Sequence, residues 1–171
     1  MKMKKGEMLG KMIALAVERH AGQFDQSGRP YILHPLRVMD ILDSDDEELQ
    51  VIAVGHDIIE DTSTTYQELK DFGFTDRVIE AIKALTKVPG QTYEEYQAGV
   101  FANRDAMLVK AADLTHNSDL KRLKGIRDKD IERTVRYMKF YHEIQVRLKG
   151  FPEMTPPKRG YAPEGAADES E

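Results

Sequence analysis

His56 and Asp57 stand side by side in "VGHDIIEDT", with Glu60 and Asp61 close behind. Val51, Ile52, Val54, Ile58 and Ile59 around them set one side of the segment against a core. Taken as a continuous helix, the four polar side chains fan over one arc of about 140°. Three carboxylates and an imidazole gathered there repel one another and lose hydration unless a cation joins them. Imidazole with carboxylate is a donor mixture that suits Zn²⁺, Mn²⁺ or Fe²⁺. The plain alternative is a solvated acidic helix end, which needs no ion.

Two further residues bear on that choice. His34 lies among apolar residues in "YILHPLRV", and Asp113 lies in "LVKAADLTHN" with Lys110 and Asn117 one turn away on either side. Singly, such a histidine reads as a cap or a satisfied core group, and such an aspartate as half of an ion pair. With His56 and Asp57 they form an ordered set, His…His-Asp…Asp. Two neutral imidazoles and two carboxylates balance a divalent ion and leave positions for water.

The elements that must hold these residues all carry helical periodicity. Met8, Leu9, Met12, Ile13, Ala16 and Val17 mark a first helix over about 8–20. Pro35 suits the first position of a second helix, where its missing N–H costs nothing. Ser44 with Glu47 has capping-box spacing ahead of the helix that carries His56, and Thr65 with Glu68 and Thr92 with Glu95 repeat it. Gly73 stands where a C-terminal cap belongs. Val78, Ile79, Ile82 and Leu85 form another stripe, and "AMLVKAADLTHNSDL" one more helix. Ile131, Val135, Met138, Tyr141, Ile144 and Leu148 pattern the last long one. No alternating strand pattern is sustained, so the expected class is all-α. One domain over 1–150 is expected, followed by a flexible tail, 151–171, rich in Pro, Gly, Ala and acid.

Composition narrows the function. The 171 residues are 40% hydrophobic, with no apolar run of membrane-spanning length. The basic start gives way to an amphipathic pattern, unlike a secretory leader. With no cysteine there is no disulfide, thiolate metal site or Cys nucleophile, and the cytoplasm is the expected compartment. A net charge of −5 argues against nucleic acid as partner, and nothing points to a membrane. An anionic ligand needs local positive charge, for which Lys110, Arg29, Lys87 and Arg37 are candidates, Lys110 lying one turn before Asp113.

The His…His-Asp…Asp set resembles the signature of the HD-domain metal-dependent phosphohydrolases. "HAGQFDQSGRPYILHPLRV", "GHDIIEDT", "ALTK" and "LVKAADLTHN" are similar, in order and spacing, to the hydrolase domain of RelA/SpoT proteins and its small single-domain relatives. The resemblance runs from about residue 8 to 148 and implies an HD-type helical bundle. It implies His34, His56, Asp57 and Asp113 as metal ligands, with Mn²⁺ the usual ion. Glu60 and Asp61 match the acidic pair that acts near the attacking water, and Ser27, Lys110 and Asn117 fall where the family contacts substrate. The implied reaction removes pyrophosphate from the 3′ position of (p)ppGpp, a small-molecule nucleotide.

One departure bears on substrate. Asp25 and Gln26 stand where (p)ppGpp hydrolases generally carry a basic pair, usually Arg-Lys, that serves base and phosphates. Asp25 is an acceptor for a purine edge at most, and restoring the pair is expected to strengthen substrate binding. A milder departure is Leu114, where the family more often has a basic residue. Three readings stay open: a (p)ppGpp 3′-pyrophosphohydrolase, a phosphohydrolase of another nucleotide or phosphorylated cofactor, and a non-catalytic binding module. His20, His116 and His142 have no implied ligand role, and Tyr93, Tyr96, Tyr137 and Tyr141 read as core or interface.

Overall fold

The structure, a computed structural model, describes residues 4–150. The expected tail over 151–171 lies outside the described residues. Eight α-helices run in the order α1 (Glu7–Arg19), α2 (Leu33–Leu42), α3 (Glu47–Gly55), α4 (Tyr66–Asp71), α5 (Asp76–Leu85), α6 (Tyr93–Phe101), α7 (Arg104–Asn117) and α8 (Asp128–Lys149). A 3-10 turn, Leu120–Arg122, precedes α8. Among the described residues there is no strand, only an isolated bridge between Phe24 and Pro30. The all-α expectation holds. No helix of the described residues is long and apolar enough to cross a membrane.

The second half of α3 is apolar on every side: Val51, Ile52, Ala53 and Val54 are all buried, as is Leu49 before them. Such a helix belongs at the centre, and α1, α2, α5 and α7 pack around it. α7 in turn packs against α2 and α8. Gly55 ends α3 where α1 comes closest: a Cβ there would stand 2.8 Å from Met12 Cε.

The capping boxes of Thr65–Glu68 and Thr92–Glu95 form as expected. Gly73 follows α4 with φ 88°, its N–H donating to Lys70 O. Four expectations need correction. The N-cap of α3 is Asp46, whose carboxylate accepts from Glu48 N and Leu49 N; Ser44 Oγ merely accepts from Asp46 N. Glu47 is thereby free to reach α1, where it accepts from Gly6 N (2.9 Å), Met8 N (3.0 Å) and Leu9 N (3.2 Å). A carboxylate on those unpaired N–H groups caps α1 from another helix. Pro35 sits two residues inside α2, because i−3 bonds from Leu33 N and His34 N start the helix early. It is still in the first turn, where no N–H is needed.

The third correction concerns α8. Ile131 and Val135 are each 49% exposed and Met138 36%, whereas Phe140 and Ile144 are buried. The buried face starts lower on the helix than the stripe suggests. The fourth bears on the site: α3 stops at Gly55, and residues 56–60 continue as turns rather than as helix. Ile58 N bonds Gly55 O, an i−3 bond, and Asp61 N bonds Asp57 O, so the helical hydrogen-bond ladder is irregular across the site.

Candidate metal centre and active site

Three helices deliver the chemistry to one point. His34 comes from the first turn of α2, His56 caps the end of α3 with Asp57 next to it, and Asp113 lies one turn before the end of α7. Their donor atoms meet. His34 Nε2 is 3.3 Å from His56 Nε2, 3.5 Å from Asp57 Oδ2 and 3.1 Å from Asp113 Oδ1. His56 Nε2 is 2.8 Å from Asp57 Oδ2 and 3.7 Å from Asp113 Oδ1. Two donors bound to one ion at about 2.1 Å stand about 3.0 Å apart at right angles and about 3.4 Å apart at the tetrahedral angle. The spacing therefore fits a divalent ion. Among the described residues, His34, His56 and Asp57 bring donor atoms all within 4.8 Å of one another, and Asp113 stands outside that group of three.

The electrostatics agree. Burial works against charge on Asp57, but His56 beside it and hydrogen bonds to both imidazoles hold its carboxyl well below the ordinary range. Asp113 is likewise buried and held far down, by Lys110 first and then by the two histidines. Burial would lower both imidazole pKa values, yet the two carboxylates raise them. One of the two buried anions is paired with Lys110, and a divalent ion would bring the further positive charge the cluster calls for.

Other side chains fix these donors. His56 Nδ1 donates to Ala53 O at 2.7 Å, leaving Nε2 to face the cluster. Asp113 accepts from Lys110 Nζ at 2.8 Å and from Asn117 Nδ2 at 2.6 Å. The Tyr31 hydroxyl donates to Asp57 Oδ2; burial and the Asp57 charge push its pKa up, so it keeps its proton. His34 Nδ1 lies 2.7 Å from His116 Nδ1. Burial, then Arg122 and His34, lower the His116 pKa to about 4.

The donors open onto a cavity of about 320 Å³. Asp25, Gln26, Ser27, Lys110 and Asn117, the five expected substrate contacts, all line it. So does Asp61, whereas Glu60 does not. Glu60 turns to the α5–α6 connection and accepts from Lys87 N at 2.8 Å. Burial and the Asp57 charge raise the pKa of Asp61, against a hydrogen bond from Tyr31. Of the other expected cations, Arg29 and Arg37 line a neighbouring cavity; two arginines that were not expected, Arg122 and Arg133, line this one.

Asp25, besides lining the cavity, has structural partners. Its Oδ1 accepts from Ser27 N (2.9 Å), Ser27 Oγ (2.6 Å) and Arg29 N (2.9 Å). It closes its own loop. Burial opposes its charge, but Ser27, Arg29 and Arg122 hold its pKa at about 2.

Tyr31, His116 and Arg122 are the residues that sequence reasoning missed. His116 had a signal, since it follows Asp113 by one turn of the same helix. Tyr31 precedes His34 by a similar step but read as an apolar neighbour. Arg122 had none.

No protein-family profile matches the chain. Over 115 residues it is 37% identical to a guanosine-3′,5′-bis(diphosphate) 3′-pyrophosphohydrolase of Haemophilus influenzae, covering 60% of this chain and 17% of that protein. Over 115 residues it is 36% identical to the bifunctional (p)ppGpp synthase/hydrolase SpoT of Escherichia coli, covering 60% and 16%. The chain thus spans only 15–17% of the length of the first curated relatives it matches. The guanosine-3′,5′-bis(diphosphate) 3′-pyrophosphohydrolase MESH1 of Danio rerio is nearer in size. It is 36% identical over 121 residues, which cover 64% of this chain and 67% of MESH1. Among solved structures, one described as a metazoan ortholog of SpoT that hydrolyzes ppGpp matches with a TM-score of 0.67. The match covers 87% of this chain and 96% of that one at 20% identity, a likeness of fold.

Proposed function

The chain belongs to the family of guanosine-3′,5′-bis(diphosphate) 3′-pyrophosphohydrolases that includes the small MESH1, and from that premise we propose that it is a Mn²⁺-dependent (p)ppGpp 3′-pyrophosphohydrolase of the cytoplasm. In this reading His34, His56, Asp57 and Asp113 hold the ion. The observation that carries it is the pair of imidazole Nε2 atoms of His34 and His56, 3.3 Å apart and each 2.8 to 3.7 Å from a carboxylate oxygen of Asp57 and of Asp113, beside a cavity lined by Asp61.

A divalent ion supplies Lewis acidity there, polarising a phosphoryl oxygen and making water more acidic. The rest falls to the chain. Asp61, in the cavity and with a raised pKa, takes the proton of the attacking water. The water oxygen bonds to phosphorus as the bond from phosphorus to the 3′ oxygen breaks. A proton returned to that oxygen completes GDP or GTP and pyrophosphate. Lys110 and Asn117 hold Asp113 in place and, lining the same cavity, stand beside the phosphates. Arg122 and Arg133 add positive charge to the cavity wall. Gln26 and Ser27, which line the same cavity, complete the substrate site. Glu60, bonded to Lys87 N, ties the segment carrying Asp61 to the α5–α6 connection.

A second reading keeps the chemistry and changes the substrate: another nucleotide or phosphorylated cofactor. Asp25, an anion in the wall of the cavity where the family resemblance implies a basic residue, is the feature that favours it. Incubation of ppGpp with the protein and Mn²⁺ separates the two. Pyrophosphate and GDP, lost on chelation, support the first reading; silence towards ppGpp alongside cleavage of another nucleotide supports the second.

A further inference from the structure

We infer that His116 is a positioning residue for the ligand His34: it accepts the His34 Nδ1–H and so fixes the tautomer and ring orientation that present Nε2 to the ion. This inference rests on the metal reading of the site, not on the identity of the substrate.

The two Nδ1 atoms are 2.7 Å apart, and the rings are nearly parallel at 17° with centroids 5.0 Å apart. At that distance one nitrogen donates and the other accepts. The ion sets the direction: His34 Nε2 faces the cluster, 3.1 Å from Asp113 Oδ1 and 3.3 Å from His56 Nε2, and as a metal ligand it must offer its lone pair there, which puts the proton on Nδ1. The other imidazole meets the same need with a backbone carbonyl, His56 Nδ1 donating to Ala53 O. For His34 the acceptor is a side chain, His116. Partners of this kind orient ligands and raise their basicity.

His116 is itself held from behind. Arg122 Nη1 donates to its backbone oxygen at 2.9 Å, and Arg122 Nη2 reaches Asp25 Oδ2 at 3.2 Å. Asp25, Arg122, His116 and His34 thus form one connected brace.

The test is Mn²⁺ affinity by calorimetry for wild type, His116→Leu and His116→Asn. Asn places a carboxamide oxygen near the position of Nδ1. Leu should weaken Mn²⁺ binding by about 10–100-fold, and Asn should recover most of that loss. A merely structural role for His116 would not separate two variants by their acceptor. If the Leu variant does not fold, His116→Ala gives the same comparison. Leu (or Ala) and Asn with equal affinity, or both matching wild type, would overturn the inference. Wild type that binds Mn²⁺ no better than Asp57→Ala would instead remove the metal site itself, and this inference with it. Absence of ppGpp hydrolysis with the affinity pattern intact would count against the proposed substrate alone.

Discussion

Asp25 Oδ2 meets Arg122 Nη2 at 3.2 Å, joining two segments 97 residues apart across the cavity wall. The other oxygen of the same carboxylate accepts three donors from its own loop. An arginine at this position therefore does not restore a lost subsite. It removes the acceptor that shapes the loop and faces Arg122 with a like charge. Contrary to the expectation from sequence, Asp25→Arg with Gln26→Lys should destabilise the protein and fail to lower KM for ppGpp. Urea unfolding and steady-state kinetics on the double variant check both.

The same carboxylate makes a pH prediction. Its pKa is held at about 2, below the 3.8 of a free aspartate. Its contribution is thus complete above pH 3.8 and fades as pH falls towards 2. Asp25→Asn should cost on the order of 1 kcal/mol near neutrality, since a pKa unit is worth about 1.4 kcal/mol and solvent screens part of it. The gap between wild type and variant in urea unfolding should narrow by pH 3. A gap that is flat from pH 7 to 3 would contradict the assignment.

Asp61 and Glu60 should separate, since only Asp61 lines the cavity. Asp61→Asn is expected to retain Mn²⁺ and lose about 10²–10⁴-fold in kcat, the usual contribution of a positioned general base. Glu60→Gln should lose less, through a loosened contact with Lys87 N. Asp57→Ala should lose metal and turnover together. Comparing kcat with bound Mn²⁺ across the three variants checks the division of roles.

Gly55 precedes His56 and touches α1. A Cβ there would meet Met12 Cε at 2.8 Å, Met12 Sδ at 2.9 Å and Ile82 Cδ1 at 3.1 Å. Gly55→Ala should cost about 1–3 kcal/mol, the range for overpacking a filled core. The Met12 terminus is flexible, so the low end applies if it swings aside. Chemical denaturation gives the number.

How legible was this in the sequence? His34, His56, Asp57 and Asp113 were, because residues of the right chemistry recur in a fixed order that needs no knowledge of packing. The threonine caps were too, since a capping box is closed within four residues. What failed depended on distant partners. Glu47 looked like a local cap until α1 offered three unpaired N–H groups. Ile131, Val135 and Met138 looked like core, but which face of α8 is covered is decided by where α7 and α6 lie. The pairing of Asp25 could not be read either, because Arg122 lies 97 residues away.

The most direct measurement of the central claim is hydrolysis of ppGpp in ¹⁸O-labelled water with Mn²⁺, followed by mass analysis of the products. Attack by water at the phosphorus on the 3′ oxygen predicts GDP without label and pyrophosphate carrying one ¹⁸O. Label in the nucleoside product, or release of single phosphate from the 5′ end, would contradict the account.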